Sequence, residues 1–277
     1  MNDVATEIFH LHGVRATEGI DFKAEIRARV DYLKDYIRKS GVNGLVLGIS
    51  GGVDSTTAGR LCQIACKELR DEKYSAFFTA VRLPSHKQAD EIDAQSALDF
   101  IQPDGLVTVN IGDATDEIHH QVTFIQSDPL VLDFHKGNVK ARMRMLAQYE
   151  IAGLTGSLVV GTDHNSELVP AFYTKWGDQA CDITVLNGLN KRQVRKMAEA
   201  LGAPQHLYMK VPTADLEELD VGKADEIALG LSYNDLDDFL EGKPVKGSVV
   251  KTICDRYEAT RHKRNWPVAF STTSTNI

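Results

Sequence analysis

Short apolar runs alternate with amphipathic stretches along the first two-thirds of the chain. Five runs of five or six residues, at 45–49, 76–81, 106–111, 157–161 and more weakly 182–186, are rich in Val, Leu, Ile and Phe. Continuous apolar runs of this length are typical of strands buried on both faces. The pattern therefore predicts the strands of a parallel sheet.

Between these runs, apolar residues recur at the three- and four-residue spacing of a helix. Such series follow Asp21 as far as Gly41 and occupy residues 55–69, 89–101, 113–122 and 139–154. Another begins after Asn190, which has the spacing of a capping box with Gln193. Strands separated by helices predict an α/β fold, a doubly wound parallel sheet with helices on both faces. No linker composition interrupts it, so we predict one domain over residues 1–270 and a disordered tail at 271–277.

Composition narrows the class of protein. The 277 residues carry 31 Lys+Arg and 39 Asp+Glu, a net charge of −8, which argues against a nucleic-acid partner. The sequence contains no apolar run of membrane-spanning length and no N-terminal secretory pattern, so we expect no membrane partner. The four cysteines are too few for a disulfide scaffold. Free thiols in the cytoplasm are the simplest interpretation, with Cys62 and Cys66 packed inside a helix.

The turn after the first predicted strand has the composition of a phosphate-binding loop. Adjacent glycines let backbone N–H groups approach an anion, and the following helix N-terminus favours negative charge. The turn lacks the lysine of a Walker A loop. Its carboxylate would repel phosphate unless a cation such as Mg²⁺ lay between them. The residues concerned are Gly48, Ile49, Ser50, Gly51, Gly52, Val53, Asp54 and Ser55.

Residues 50–55 resemble the pyrophosphate loop of the ATP pyrophosphatase (PP-loop) superfamily, whose fold is adenine nucleotide alpha hydrolase-like. Further segments, in the same order, resemble ammonia-dependent NAD synthetases from the first helix to about residue 265. These segments are AVRLP at 80–84 with QADE at 88–91, GNVKARMRM at 137–145, GTDH at 161–164 with Glu167, TKWGD at 174–178 with Asp182, LNKRQ at 189–193, PTADL at 212–216 and HKR at 262–264.

The resemblance implies a ligase that converts deamido-NAD (nicotinic acid adenine dinucleotide), ATP and ammonia into NAD, AMP and pyrophosphate through an adenylylated carboxylate. Mg²⁺ would be held by Asp54 and Glu167, and a homodimer is implied. Residues 48–55 would bind the ATP phosphates, with Arg82, Gln88, Thr162, Lys191 and Thr213 as further ATP contacts. The implied deamido-NAD contacts are Arg142, Lys175, Asp182, His262 and Lys263. Lys191 and Asp178 are the predicted catalytic groups, with Asp178 near the incoming ammonia.

Two other functions remain open from the sequence. Another PP-loop adenylylating ligase would use a different acceptor, but a tRNA-modifying relative would be expected to carry a basic face. A non-catalytic nucleotide-binding sensor would need the glycine loop but not both Asp54 and Glu167. Because the motifs occupy nearly all of the 277 residues, we expect free ammonia rather than glutamine as the nitrogen source.

Charge patterning leads to three further expectations. In an acidic protein that binds two polyanions, five cations should face a single cleft: Arg82, Arg142, Lys175, Lys191 and Lys263. Lys191 at a helix start opposes the helix dipole, which a nearby phosphate would explain. The acidic cluster after residue 234 lacks the Gly and Glu of an EF-hand loop and is interpreted as a solvated face. Its members are Asp235, Asp237, Asp238 and Glu241.

Overall fold

A computed structural model describes residues 3–86, 91–213, 216–219, 222, 224–265, 267 and 270. Five strands lie within this part of the chain: β1 (Gly44–Gly48), β2 (Phe77–Arg82), β3 (Gly105–Thr108), β4 (Leu158–Gly161) and β5 (Ile183–Thr184). The helices are α1 (Asp3–His12), α2 (Phe22–Ser40), α3 (Val53–Asp71), α4 (Glu91–Ile101), α5 (Gly112–His120), α6 (Pro129–Thr155), α7 (Asn165–Leu168), α8 (Lys191–Ala200), α9 (Gln205–Tyr208), α10 (Asp225–Leu229), α11 (Tyr233–Leu240), α12 (Gly247–Ala259) and α13 (Arg261–Arg264).

The strands form one parallel sheet in the order β3-β2-β1-β4-β5. The chain runs outwards from β1 to β3 and then returns through α6 to β4, on the other side of β1. Doubly wound sheets bind ligands beyond the carboxyl ends of the strands where this reversal occurs. The topology therefore puts the binding crevice between the ends of β1 and β4.

Successive side chains of β1 show why both faces of the sheet are covered. Leu45 and Leu47 belong to a core shared with α2, α3 and α8, whereas Val46 belongs to a second core on the α6 side. All three are at most 3% exposed, as the period-two geometry of a central strand requires. The predicted fold class is confirmed: a doubly wound parallel sheet with helices on both faces.

Most differences from the predicted elements lie at their ends. Helix α6 begins at Pro129 rather than residue 139, because Asp128 accepts a hydrogen bond from the Leu130 N–H and proline occupies the first turn. Strand β3 stops at Thr108 and β5 keeps only two residues. The capping box is present: the Asn190 side chain accepts from the Gln193 N–H at 2.9 Å. Cys62 and Cys66 are buried in α3, as predicted.

A third apolar cluster lies apart from the sheet. It joins Ala5 and Ile8 of α1 to Leu236 of α11 and Ile253 of α12, each at most 1% exposed. This packing supports α11, which faces the start of α8. None of the helices in the described ranges has the length and hydropathy of a membrane span.

Candidate active site

The turn between β1 and α3 has the geometry of an anion-binding loop. Gly51 adopts φ +87°, and a Cβ there would lie 2.6 Å from a backbone nitrogen of α4, so only glycine fits. The Ser50 and Ser55 hydroxyls lie 3.1 Å apart, and the Gly52 N–H donates to Ser50 Oγ at 3.2 Å. Helix α3 begins at Val53 with no side-chain cap. Its first N–H groups are the donors that such a turn offers to a phosphate.

Behind this turn, three segments bring together four ionisable side chains. Lys191 Nζ lies 2.7 Å from Asp54 Oδ2, 3.1 Å from Glu167 Oε1 and 3.3 Å from His164 Nε2. The imidazole itself lies 3.4 Å from Asp54 Oδ1 and 3.3 Å from Glu167 Oε1. Lys191 and His164 are at most 1% exposed. The start of α3, the segment of α7 and the start of α8 therefore meet at one buried cluster.

The opposite charges of this cluster stabilise one another. Burial alone would raise the pKa of Asp54, but the positive charges of Lys191 and His164 outweigh it and hold that pKa well below its ordinary value. The pKa of Glu167 is lowered against burial in the same way. Burial would lower the pKa of Lys191, yet Asp54 and Glu167 raise it. For His164, burial is again outweighed, mainly by Glu167, and the pKa rises to about 9. At neutral pH all four groups are therefore charged.

Asp54, Glu167 and Lys191 of this cluster line a cavity of about 320 Å³ at the carboxyl ends of β1 and β4. Three more carboxyl groups line it, those of Asp163, Asp178 and Asp225. Burial, together with the charges of Glu167 and Asp178, raises the pKa of Asp163 well above its ordinary value, and burial raises the pKa of Asp178. Burial also raises the pKa of Asp225 to about 6, and Tyr233 donates to this carboxyl at 3.3 Å. The cavity is thus lined by an anion-binding turn and by carboxyl groups whose pKa values are shifted in opposite directions.

Most of the predicted ATP and metal residues lie in this cavity. Arg82 is held beside the turn, where its guanidinium donates to the Ile49 carbonyl and lies 2.8 Å from Glu91. Asp178 accepts from the Thr174 N–H at 2.9 Å. Gln88 lies outside the described residues. The predicted site residues that line the cavity are Gly48, Ile49, Ser50, Gly52, Val53, Asp54, Ser55, Arg82, Thr162, Glu167, Asp178, Lys191 and Thr213.

Four of the five predicted deamido-NAD residues form a separate group. Arg142 donates to the Lys175 carbonyl at 3.3 Å, and Lys175 donates to the His262 carbonyl at 2.7 Å. Lys263 donates to the Tyr173 carbonyl at 2.7 Å.

Asp182, the fifth of these residues, lies elsewhere, where it accepts from the Val159 N–H at 2.8 Å. The expectation that five cations face one cleft is wrong for Arg142, Lys175 and Lys263. Within the described part of the chain, only Arg82 and Lys191 of the five line the cavity, whereas the other three donate to the backbone carbonyls of Lys175, His262 and Tyr173.

The predicted solvated acidic face is wrong for two of its members. Asp237 is 1% exposed and accepts from the Arg192 N–H at 2.8 Å, while the fully shielded Glu241 accepts from Thr17 Oγ1 at 2.6 Å. Asp237 therefore supplies an anion at the start of α8, where the helix dipole favours one. Sequence reasoning assigned no role to His164 or Asp225. The three-residue spacing of His164 and Glu167 across the start of a helix was the available signal for the former.

Comparison with known proteins agrees with this geometry. The sequence model of the NAD synthase family matches residues 25–267. The chain belongs to this family. It is 54% identical over 261 residues to the NH(3)-dependent NAD(+) synthetase of Streptomyces coelicolor, covering 92% of this chain and 94% of that protein. The NAD+ synthetase of Burkholderia pseudomallei superimposes with a TM-score of 0.80 at 43% identity, covering 94% and 95% of the two chains. The NMN synthetase of Francisella tularensis is 29% identical with a TM-score of 0.78, covering 90% and 98%.

Proposed function

We propose that this member of the NAD synthase family is a ligase that amidates deamido-NAD with ammonia at the expense of ATP. Relatives of more than 50% identity over most of the chain support the reaction. The structural observation that carries it is the convergence of Asp54, Glu167 and Lys191 beside the glycine turn. An adenylylation brings an anionic carboxylate to a polyanion, so catalysis must come mainly from positioning and charge neutralisation.

In the first step of the proposed reaction, an oxygen of the nicotinate carboxylate attacks the α-phosphorus of ATP, and the bond from that phosphorus to pyrophosphate breaks. Ammonia then attacks the acyl carbon, and the carbon–oxygen bond to AMP breaks. The turn at 48–55 would bind the phosphates, with Arg82 and Lys191 as neighbouring cations. Thr162 and Thr213, which line the same cavity, would be further ATP contacts. Asp178, with its raised pKa, would attract ammonium and accept the proton that the nitrogen loses.

The donor set of the cluster fits Mg²⁺. Asp54 and Glu167 each offer a carboxylate oxygen, and the two oxygens lie within 4.8 Å of each other. Among the described residues, Asp54 Oδ1 is buried and has no partner in hydrogen-bond geometry. Carboxylate and phosphate oxygens are the ligands that Mg²⁺ prefers, so Asp54 and Glu167 would hold it. When bound, the ion would neutralise charge on the departing pyrophosphate.

For deamido-NAD, we propose that the cationic group outside the cavity binds the dinucleotide. Arg142, Lys175, His262 and Lys263 lie in one neighbourhood, and Lys263 is close enough to Asp178 to affect its pKa. That proximity supports a dinucleotide that extends from the cationic group towards the cavity. Asp182, which lies beside β4, would be a separate contact.

The direct test is formation of NAD, AMP and pyrophosphate from ATP with ammonium or glutamine, and with deamido-NAD or nicotinic acid mononucleotide. We expect products with deamido-NAD and ammonium. Stoichiometric ADP and phosphate would refute the reaction, a preference for the mononucleotide would reassign the acceptor, and tight ATP binding without turnover would favour a sensor.

A matched pair of variants on α3 tests the metal assignment. Asp54→Asn should lower turnover by at least about 100-fold, as loss of one transition-state contact does, whereas Asp71→Asn at the exposed end of the same helix should not. Full activity of Asp54→Asn would remove Asp54 from the metal site.

We propose further that the protein is a homodimer. Large apolar side chains of α5, the turn after it and the first half of α6 are exposed: Ile118, Val122, Phe124, Ile125, Leu130 and Phe134. A patch of this kind marks an interface, and a self-complementary face on a long helix suits a two-fold dimer. Light scattering should give twice the 30.6-kDa chain mass. Phe124→Asp should yield monomer, whereas Ile227→Asp, which alters an exposed residue of α10, should stay dimeric; a wild-type monomer would contradict the proposal.

The cellular setting and domain organisation are also proposals. The four cysteines are free thiols, which supports a cytoplasmic protein. The apolar cluster that joins α1 to α12 supports one domain over residues 1–270.

A further inference from the structure

Asp237 is a buried carboxylate that lies outside the catalytic cavity but contacts two segments that form it. Its side chain belongs to α11 and is 1% exposed. Asp237 Oδ1 accepts from Ser166 Oγ at 2.7 Å and from the Lys191 N–H at 3.3 Å, and Oδ2 accepts from the Arg192 N–H at 2.8 Å. One carboxylate therefore binds both α7 and the first turn of α8.

Ser166 completes the connection. Its hydroxyl is fully buried, donates to Asp237 and accepts from the Lys191 N–H at 3.0 Å. Ser166 directly precedes Glu167 in α7, and Lys191 is the first residue of α8. The side chains of Glu167 and Lys191 lie 3.1 Å apart in the active site. Ser166 and Asp237 thus also connect the backbone segments that carry these two residues.

We infer that Asp237 is a positioning residue of the active site, which fixes Glu167 relative to Lys191 by clamping α7 against the start of α8. Helix α7 has only four residues and cannot hold its own orientation through helical hydrogen bonds alone. The start of α8 needs an anion for its free N–H groups, and Asp237 supplies one without using a substrate phosphate. The inference rests on the proposed amidation, because it assigns Glu167 and Lys191 to that reaction.

The chain offers a matched control next to Asp237. Asp238 lies on the same helix and pairs with the Arg192 side chain at 2.9 Å, but it contacts neither α7 nor a backbone N–H of α8 among the described hydrogen bonds. Its side chain is 36% exposed. Asp238→Ala removes a carboxylate from the same helix without releasing the clamp.

The test measures kcat and KM for ATP and deamido-NAD, per folded molecule, in Asp237→Ala, Asp237→Asn, Ser166→Ala and Asp238→Ala. We expect kcat of Asp237→Ala to fall about 10- to 100-fold, as when an outer-shell partner of a metal ligand is lost, with KM for deamido-NAD within about threefold. Asp237→Asn keeps an acceptor for the Arg192 N–H and should recover part of the loss. Ser166→Ala should lower kcat while keeping the cap on Arg192, and Asp238→Ala should match the wild type. Wild-type kcat in both Asp237→Ala and Ser166→Ala would overturn the inference.

Hydrogen–deuterium exchange provides a readout that does not depend on turnover. In Asp237→Ala, amides of α7 and of the first turn of α8 should exchange at least tenfold faster, while those of α3 keep their wild-type rates. Uniform acceleration across the chain would indicate a general loss of stability and overturn the positioning role. If the wild-type protein formed no NAD, the proposed function would fail, and exchange at α7 and α8 would still decide whether the clamp exists. Ser166→Ala makes the same measurement possible if Asp237→Ala does not fold.

Discussion

Replacing Lys191 with methionine tests the charge arrangement at the centre of the site. Methionine keeps an unbranched apolar stem but removes the ammonium, which lies 2.7 Å from Asp54 and 3.1 Å from Glu167. The lysine side chain is 2% exposed, and the two carboxylates are 19% and 15% exposed. Removing one partner of a buried ion pair costs about 3–5 kcal/mol. Since partial exposure lets water screen the remaining carboxylates, we expect a loss near the lower end, about 3 kcal/mol.

Urea denaturation followed by circular dichroism at pH 7, without nucleotide or metal, measures this loss. Lys196→Met is the matched control, because Lys196 lies on the same helix, is 55% exposed and pairs only with Glu199 among the described contacts. Its midpoint should equal that of the wild type. Adding Asp54→Asn to Lys191→Met should restore part of the lost stability, because contacting charges couple and their effects are not additive. A Lys191→Met protein within about 1 kcal/mol of wild type, the centre of the distribution for ordinary substitutions, would refute this reasoning.

Three further predictions follow from separate features. Gly51→Ala should abolish ATP binding measured by calorimetry or unfold the turn, because its Cβ would meet backbone at 2.6 Å in a left-handed conformation. Gly188→Ala, in open space at a similar φ, should keep ATP binding. Unchanged ATP affinity of Gly51→Ala would contradict this prediction. Burial would raise the pKa of Glu241, but hydrogen bonds from Lys243, Thr17 and Asn190 outweigh it and lower the pKa to about 2. This stabilisation is complete above the ordinary pKa of 4.5 and is lost as pH falls towards 2. The melting temperature of Glu241→Gln in thermal scans should therefore depend less on pH between 4.5 and 2 than that of the wild type. Equal pH dependence of the two melting temperatures would contradict this prediction. Chelation with EDTA should stop NAD formation, and Mg²⁺ should restore it; activity in EDTA would exclude the metal.

Local patterns in the sequence were sufficient for the sheet, the glycine turn and the capped start of α8. Each of these depends on neighbours within a few residues: continuous apolar positions for the strands, paired glycines for the turn, and Asn190 with Gln193 for the cap. The ends of β3 and β5 could not be predicted, because a strand ends where its partner strand no longer pairs with it.

The residues of the candidate site were likewise predictable only in part. The motifs predicted that Asp54, Glu167 and Lys191 belong to one site, and the structure brings them together. The burial of Asp237 had no local signal, since neighbouring aspartates on a short helix favour solvent and only tertiary contacts with α7 and α8 reverse that preference. The tethering of Arg142 by a distant carbonyl was equally invisible in the sequence.

The packing of α1 has a consequence for how the protein is made. Helix α1 is synthesised before α11 and α12, yet Ala5 and Ile8 are covered by these two helices, and Glu7 lies 3.4 Å from Arg261, which is 254 positions away. At about 5–20 residues per second, the apolar face of α1 waits roughly 10–50 s for its partners. By the end of that interval, all five strands and the glycine turn have been synthesised, and the segment that carries Asp237 follows after them. The apolar face of α1 therefore stays without its native cover until nearly the whole chain has been made.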